Sequence, residues 1–182
     1  YAMGYDLASF FAGAGLASVG LGLIAKDLLM DFVNGINIIS EDQFGVGDWI
    51  ESETDQGEVV EFSLRATKIR RADGSLATLP NSDLRRVKNH SNEWANADFR
   101  VTVAYATDTD RAMELIMEEV ALLQEEWPGN ILGTPDAMGV NELSLDGVVL
   151  RVMLKTAPMV QWQAGRRLNR RVKLRFQREG IE

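Results

Sequence analysis

The feature that most constrains the fold of this chain is an uncharged run of nineteen residues, from Leu7 to Ala25. At ~1.5 Å of rise per residue, a helix of this length measures about 28 Å, close to the ~30 Å hydrocarbon core of a bilayer. The run has neither the basic start nor the cleavage site of a secretory signal. It predicts a transmembrane helix, with a buried helix of a soluble domain as the alternative.

Small residues make up much of this run, which indicates close contact between helices. The larger apolar residues Leu16, Val19 and Leu23 form a stripe with spacings of three and four. In a ring of copies, we expect Val19 and Leu23 to point at the axis as a hydrophobic constriction that gates by dewetting. The positions expected to pack between helices are Gly13, Gly15, Ser18, Gly20 and Gly22.

The sequence becomes amphipathic after Ala25, where Lys26, Asp27 and Asp31 interrupt the apolar pattern. This pattern is typical of a helix that lies along a membrane interface, and we expect the three charges in water at the inner mouth of a pore. Gly35 is a candidate break of the helix. Residues 1–43 are therefore predicted to form a pore-lining transmembrane helix followed by an interfacial helix.

Residues 44–90 read as five short strands, with a strong hairpin signal at Asp73-Gly74. Such strands predict a small, bent, Sm-like β-barrel. Its clustered basic residues fit solvated strand faces or salt bridges between subunits, and contact with anionic lipid headgroups is an alternative. RNA binding is a further alternative, but no aromatic platform accompanies these residues. The cluster comprises Arg65, Lys68, Arg70, Arg71, Arg85, Arg86 and Lys88.

Residues 91–182 follow the order β-α-β-β-α of a ferredoxin-like α/β domain. Thr107 or Asp108 is the expected N-cap of a helix over residues 109–126. A basic helix is predicted over residues 161–178. Its apolar stripe consists of Ala164, Leu168, Val172 and Phe176.

The net charge of −8 conceals opposite charges in neighbouring segments. Residues 98–146 hold two basic and eleven acidic side chains, whereas residues 147–182 hold nine basic and two acidic ones. We expect the basic helix to dock on acidic surface of the same chain or of a neighbour. Nucleic-acid binding is the alternative, and the surrounding negative charge opposes it.

The composition predicts no catalytic, metal or cofactor site. The chain has no cysteine and one histidine, His90, so disulfides, thiolate ligands and histidine clusters are excluded. The carboxylates of the α/β domain fit a solvated helix face better than an acid–base pair. We therefore do not expect an enzyme.

Three motifs, in their order, resemble the bacterial small-conductance mechanosensitive channel (MscS-like) family. They are GAGLASVGLGL in the first helix, FGVGDWI with GEVVEFSLRATKIRRADGSLATLPNSDL in the β-module, and VTVAYATDTDRAMELI opening the α/β domain. The resemblance implies a homoheptameric ion channel of the bacterial cytoplasmic (inner) membrane. The full-length protein would be multi-pass with cytosolic soluble domains. Membrane tension would open it, so that ions and small solutes leave during hypo-osmotic shock.

The resemblance also assigns individual residues. Two apolar pore rings of the family fall on Val19 and Leu23, a hinge glycine falls on Asp27, and a helix-breaking glycine falls on Gly35. We therefore expect bending at Gly35 and not at Asp27. The expected partners are membrane lipids, permeating ions and solutes, and further copies of the chain, but not nucleic acid. A non-conducting membrane-anchored ring scaffold and an Sm-like RNA-binding ring are the alternatives.

Overall fold

A computed structural model of the chain describes residues 7–181, with side chains described from residue 11 onward. Residues 1–6 and 182, which begin and end the predicted domains, lie outside the described residues. The chain divides into two compact units, Tyr1–Asn89 and His90–Glu182. The sequence placed this boundary between residues 90 and 91.

The first unit opens with one long helix, α1, over Leu7–Ser40. Residues 11–24 of this helix are exposed, whereas the second half buries one edge against the β-module. The buried positions follow the helical spacing of three and four residues, which places them on one face. They are Asp31, Asn34, Gly35 and Ile38.

One prediction for this segment is wrong and one stays a prediction. Among the described residues, no helix is both long enough and apolar enough to cross a membrane. The side chains of residues 7–10, which open the predicted Leu7–Ala25 span, lie outside the described residues, so this span stays a prediction. The predicted break at Gly35 is wrong, since α1 continues through it to Ser40.

The β-module is an antiparallel five-stranded sheet. Its strands are β1 Trp49–Glu51, β2 Gln56–Phe62, β3 Ala66–Arg70, β4 Leu76–Pro80 and β5 Lys88–Asn89, with a 3₁₀ turn, η1, over Asn81–Leu84 between the last two. The strand order is β4-β3-β2-β1-β5. The register of β2 against β3 shifts between Val59 and Glu61, and such an irregularity bends a strand. The predicted hairpin joins β3 and β4 through residues 71–75, which is longer than the two-residue turn expected at Asp73-Gly74, and of that pair only Gly74 has a positive φ, 85°.

The core of the first unit lies on one face of this sheet. Strand alternation directs Ile50, Val59 and Ile69 inward, where each is at most 1% exposed. Ile38 of α1 and Leu84 of η1 complete the same buried cluster. The C-terminal part of α1 is therefore fixed to the β-module by its own core residue.

The second unit has the predicted order β-α-β-β-α. Its elements are β6 Ala95–Val103, α2 Thr109–Glu126, β7 Asp136–Ser144, β8 Gly147–Thr156 and α3 Gln161–Glu179. The three strands form one sheet in the order β6-β8-β7. Asp108 is the N-cap of α2, because its side chain accepts hydrogen bonds from the backbone N–H groups of Asp110 and Arg111.

Both helices cover one face of this sheet. The predicted α3 stripe is buried, with Ala164 and Leu168 fully so, against the α2 residues Leu115, Ile116 and Val120. The predicted docking of the basic helix on acidic surface is confirmed within the chain. Arg171 of α3 contacts Glu119 at 2.9 Å and Glu126 at 2.6 Å, and Arg175 contacts Glu118 at 2.8 Å.

Candidate functional site

The first half of α1 is the candidate functional surface. Val19 is 63% exposed and Leu23 is 67% exposed in the single chain. A Cβ added at Gly13, Gly15, Gly20 or Gly22 would meet no atom within 4 Å. A contiguous exposed apolar surface of this kind marks an interaction site.

The helical geometry arranges this surface into three strips. At about 100° of rotation per residue, Leu16, Val19 and Leu23 share one strip. Gly13 and Gly20 lie on one side of it. The other side carries Gly15, Ser18 and Gly22, and the Ser18 hydroxyl is turned back to donate to the Ala14 carbonyl at 2.8 Å. An apolar strip flanked by two small faces is what each helix of a closed ring needs, because each helix then has a close neighbour on both sides.

The second half of α1 is seated on the β-module through Asp31. Its side chain is 5% exposed, and its Oδ1 accepts a hydrogen bond from the backbone N–H of Ser82 at 3.0 Å. The expectation that Asp31 lies in water at an inner mouth is therefore wrong. Lys26 and Asp27 remain exposed, because they lie outside the buried edge of the helix.

Gly35 allows the closest approach between α1 and the β-module. A Cβ at this position would collide with the Leu64 carbonyl oxygen and would lie 2.7 Å from the Asn81 side-chain nitrogen. The glycine is thus required by packing against another part of the backbone, which explains why the helix does not break there.

Asn81 is the central polar residue of this seat, and the sequence did not single it out. It is fully buried, accepts a hydrogen bond from the Thr67 hydroxyl at 2.9 Å and donates from Nδ2 to the Ser63 carbonyl at 2.9 Å. Its backbone N–H donates to the Arg65 carbonyl at 3.0 Å. In the sequence, Pro80-Asn81 is typical of the end of a strand, and a buried asparagine cannot be told from a turn asparagine there.

The basic cluster of the β-module is largely paired within the chain. Four of its members have acidic partners, and Arg71 pairs with Asp55 at 2.5 Å and lowers the pKa of that carboxyl through its hydrogen bonds. Arg70 and Arg85 donate to the backbone carbonyls of Gly74 and Ser82. The other three ion pairs are Lys68–Glu61, Lys88–Glu51 and Arg86–Glu53.

Residues for which the sequence predicts no catalytic or metal-binding role have the following places in the structure. The ring of His90 lies 5.3 Å from that of Trp162, centroid to centroid. Among residues 7–181, no group of three histidine, aspartate or glutamate side chains could hold a metal ion. The candidate surface of α1 carries no titratable group between Phe11 and Ala25.

Two family models match the chain in succession. The model for the mechanosensitive ion channel β-domain matches residues 27–92, and the model for the C-terminal domain of mechanosensitive ion channel MscS matches residues 97–182. The chain belongs to the MscS-like mechanosensitive ion channel family. The family consists of ion channels and not of enzymes, in agreement with the sequence prediction.

Two relatives in this family are similar over almost the whole chain. A small-conductance mechanosensitive channel of Caldanaerobacter subterraneus is 32% identical over 176 residues, which are 97% of this chain and 62% of that protein. The moderate conductance mechanosensitive channel YbiO of Escherichia coli is 28% identical over 98% of this chain. The chain spans only 24% of that second relative.

A solved structure supports the fold of this family member. The closed-state crystal structure of Helicobacter pylori MscS matches with a TM-score of 0.77 and 22% sequence identity. The match covers 98% of this chain and 71% of that chain. At this identity the likeness establishes a shared fold of the β-module and the α/β domain.

Proposed function

We propose that this chain is the part of a mechanosensitive channel that surrounds and supports its conduction path. The assembled channel opens under membrane tension and releases ions and small solutes during hypo-osmotic shock. The observation that carries this proposal is the first half of α1, an exposed apolar strip flanked by two small faces and joined to the β-module of this channel family. Its exposure in the single chain supports a role in assembly.

The proposed assembly is a homoheptamer in the bacterial cytoplasmic membrane, with the β-module and the second unit on the cytosolic side. The subunit number comes from the family resemblance, and the two small faces of α1 support a closed ring. In such a ring Gly13 and Gly20 of one helix contact Gly15, Ser18 and Gly22 of the next. Small residues at both surfaces allow the helix backbones to come close.

The proposed gate is formed by Val19 and Leu23, which lie one helical turn apart on the apolar strip. Seven copies would give two apolar rings around the axis. Such rings exclude water when narrow, which blocks ions without a physical plug. Tension that separates the helices would widen the rings and allow them to hydrate.

Basic side chains of the β-module are proposed to contact anionic lipid headgroups. The best candidates are Arg65, Arg70 and Arg85, because none of them forms an ion pair with an acidic side chain among the described residues. Each such cation near an anionic membrane surface contributes about 1 kcal/mol of attraction. The paired members of the cluster are less available for this contact.

The gate is tested by patch-clamp recording of the full-length protein in liposomes. We expect Val19→Ser and Leu23→Ser to lower the tension threshold or to produce a resting leak, because a hydroxyl hydrates the constriction. Leu21→Ser is the matched control, since Leu21 lies on the opposite side of the helix. Unchanged gating in both variants would show that Val19 and Leu23 do not form the gate. Absence of conduction in the wild type would favour a non-conducting scaffold.

A further inference from the structure

A groove of about 410 Å³ lies in the second unit between the edge strand β6 and the first three turns of α3. Cavities of 300 to 1,000 Å³ are typical of small-ligand sites. Polar side chains form most of its lining, and Gln161, the first residue of α3, is among them. The polar and aromatic residues of the lining are Asn96, Asp98, Gln161, Trp162, Arg166 and Asn169.

Gln161 is the first indication that this groove receives a ligand. The residue is 7% exposed, and among the described residues neither its amide nitrogen nor its amide oxygen has a hydrogen-bond partner. Leaving such a buried group unpaired is unfavourable by about 1–3 kcal/mol. Because Gln161 lines the groove, its unpaired amide is the buried polar group that a molecule bound there could satisfy.

The start of α3 adds donors at the same place. The N-cap residue Val160 provides no side-chain hydrogen bond to the first turn. The first N–H groups of a helix have no partner within the helix, and they carry the positive end of the helix dipole. An uncapped helix start beside an unpaired amide therefore favours an anionic group.

The charge that has no partner at the groove is positive, although the chain as a whole is acidic. Arg166 lines the groove and forms no ion pair among the described residues. The one acidic lining residue, Asp98, is held by Arg151 at 2.7 Å and by Arg100 at 2.7 Å, so two cations surround a single carboxylate. These hydrogen bonds lower the pKa of Asp98, which keeps it ionised and paired.

We propose that this groove binds the oxyanion group of a small solute, a carboxylate or a phosphate, with Arg166, the Gln161 amide and the start of α3 as its donors. Arg166 suits either group, because a guanidinium offers two parallel donors to a planar or tetrahedral oxyanion. The Trp162 ring borders the remaining volume, where the rest of the ligand lies. The site belongs to the second unit and does not depend on conduction by α1.

The test is isothermal titration of the purified full-length protein with succinate and, separately, with inorganic phosphate, at constant ionic strength set with chloride. We expect saturable binding of one or both. Binding of succinate alone identifies a carboxylate ligand, and binding of phosphate alone identifies a phosphate ligand. Arg166→Gln should weaken binding by about tenfold or more, the expected loss of a charge-assisted pair.

Two controls separate this site from general attraction to a basic helix. Arg178→Gln removes the same charge from α3 outside the groove and should leave the affinity within about twofold of wild type. Gln161→Leu should weaken binding and raise the melting temperature of the ligand-free protein, because it removes an unpaired buried amide. Bound ligand should also protect Arg166, but not Arg178, from modification by phenylglyoxal.

No binding of either anion by the folded wild type would overturn the proposal. Equal weakening by Arg166→Gln and Arg178→Gln would also overturn it, because it would show non-specific charge attraction. Neither result bears on tension gating, which is measured separately in liposomes.

Discussion

Gly35 shows, for a single residue, that a residue type can suggest the wrong local structure when its contacts are unknown. Glycine inside a helix weakens it by about 1 kcal/mol relative to alanine, and this property suggested a break. In the structure the helix continues, and the missing side chain makes room for the Leu64 carbonyl. Glycine at this position therefore lowers the helix propensity but allows close packing against the backbone of Leu64.

We expect Gly35→Ala to destabilise the first unit by about 1–3 kcal/mol, because the added Cβ meets backbone that cannot move aside easily. Gly165→Ala is the matched control, since a Cβ there meets nothing within 4 Å. That substitution should stabilise α3 by up to about 1 kcal/mol. Urea unfolding of both variants measures the difference, and a stabilising Gly35→Ala would show that α1 is not seated on Leu64.

At the scale of elements, ion pairs of unequal burial hold α3 against α2. The Glu119 side chain is 11% exposed and the Arg171 side chain 23%, whereas the Glu118 partner of Arg175 is 51% exposed. Exposed pairs contribute ~0–1 kcal/mol, whereas removing one partner of a buried pair leaves an uncompensated charge. Arg171 is therefore the more important contact between the two helices.

We expect Arg171→Leu to destabilise the second unit by about 1–3 kcal/mol, below the full cost of a completely buried pair because water still reaches both groups. Arg175→Leu is the comparison and should lower the free energy of unfolding by no more than about 1 kcal/mol. The double variant Glu119→Leu with Arg171→Leu should regain stability relative to the single one. Denaturant unfolding gives all three values, and equal losses from Arg171→Leu and Arg175→Leu would contradict the ranking.

The pairing of β6 with β8 leads to a second prediction at this scale, which concerns the ion pairs of Asp98. Arg100 lies directly opposite Arg151, and Asp98 bonds both guanidinium groups. Because the folded-state pKa of Asp98 is lowered, its contribution to stability is present above its unfolded pKa of about 3.9 and is lost as pH falls through the lower folded value.

We therefore expect Asp98→Asn to be less stable than wild type at pH 7, with the difference shrinking as the pH falls below about 4. Protonation of the wild-type carboxyl then removes the same interaction that the variant lacks. Urea unfolding of both proteins at pH 7 and at strongly acidic pH measures this. A stability difference independent of pH would mean that the charge of Asp98 plays no part.

At the scale of the whole molecule, symmetry would multiply each exposed charge of α1. In the proposed ring, Asp27 would form an acidic ring beside the conduction path, and Lys26 would lie next to it. Asp31 cannot contribute in the same way, because its carboxylate bonds Ser82 within the chain. Rings of charged side chains set ion preference at short range.

We expect Asp27→Asn in the full-length channel to lower the cation-to-anion permeability ratio. Asp31→Asn is the matched control and should leave this ratio unchanged, although it weakens the seat of α1 on the β-module. Reversal potentials in liposomes under a salt gradient measure both. The same ratio in Asp27→Asn and wild type would assign Asp27 no role in selectivity.

The sequence determined the features that depend on neighbouring residues. The helical period placed the buried stripe of α3, the Asp108 side chain set the start of α2, and turn residues separated the five strands of the β-module. These features follow from interactions over a few residues, which a local pattern records.

Only the tertiary structure decided what α1 rests on and which charges are free. Asp31 meets Ser82 from 51 residues away, and Arg171 meets Glu119 from 52 residues away. Gly35 meets a backbone carbonyl, and every residue type carries that group, so no side-chain pattern could indicate it. Gln161 likewise looks like an ordinary first-turn residue until burial leaves its amide without a partner. Contacts between distant segments depend on how the segments pack. The order of residues along the chain does not show which distant segments meet.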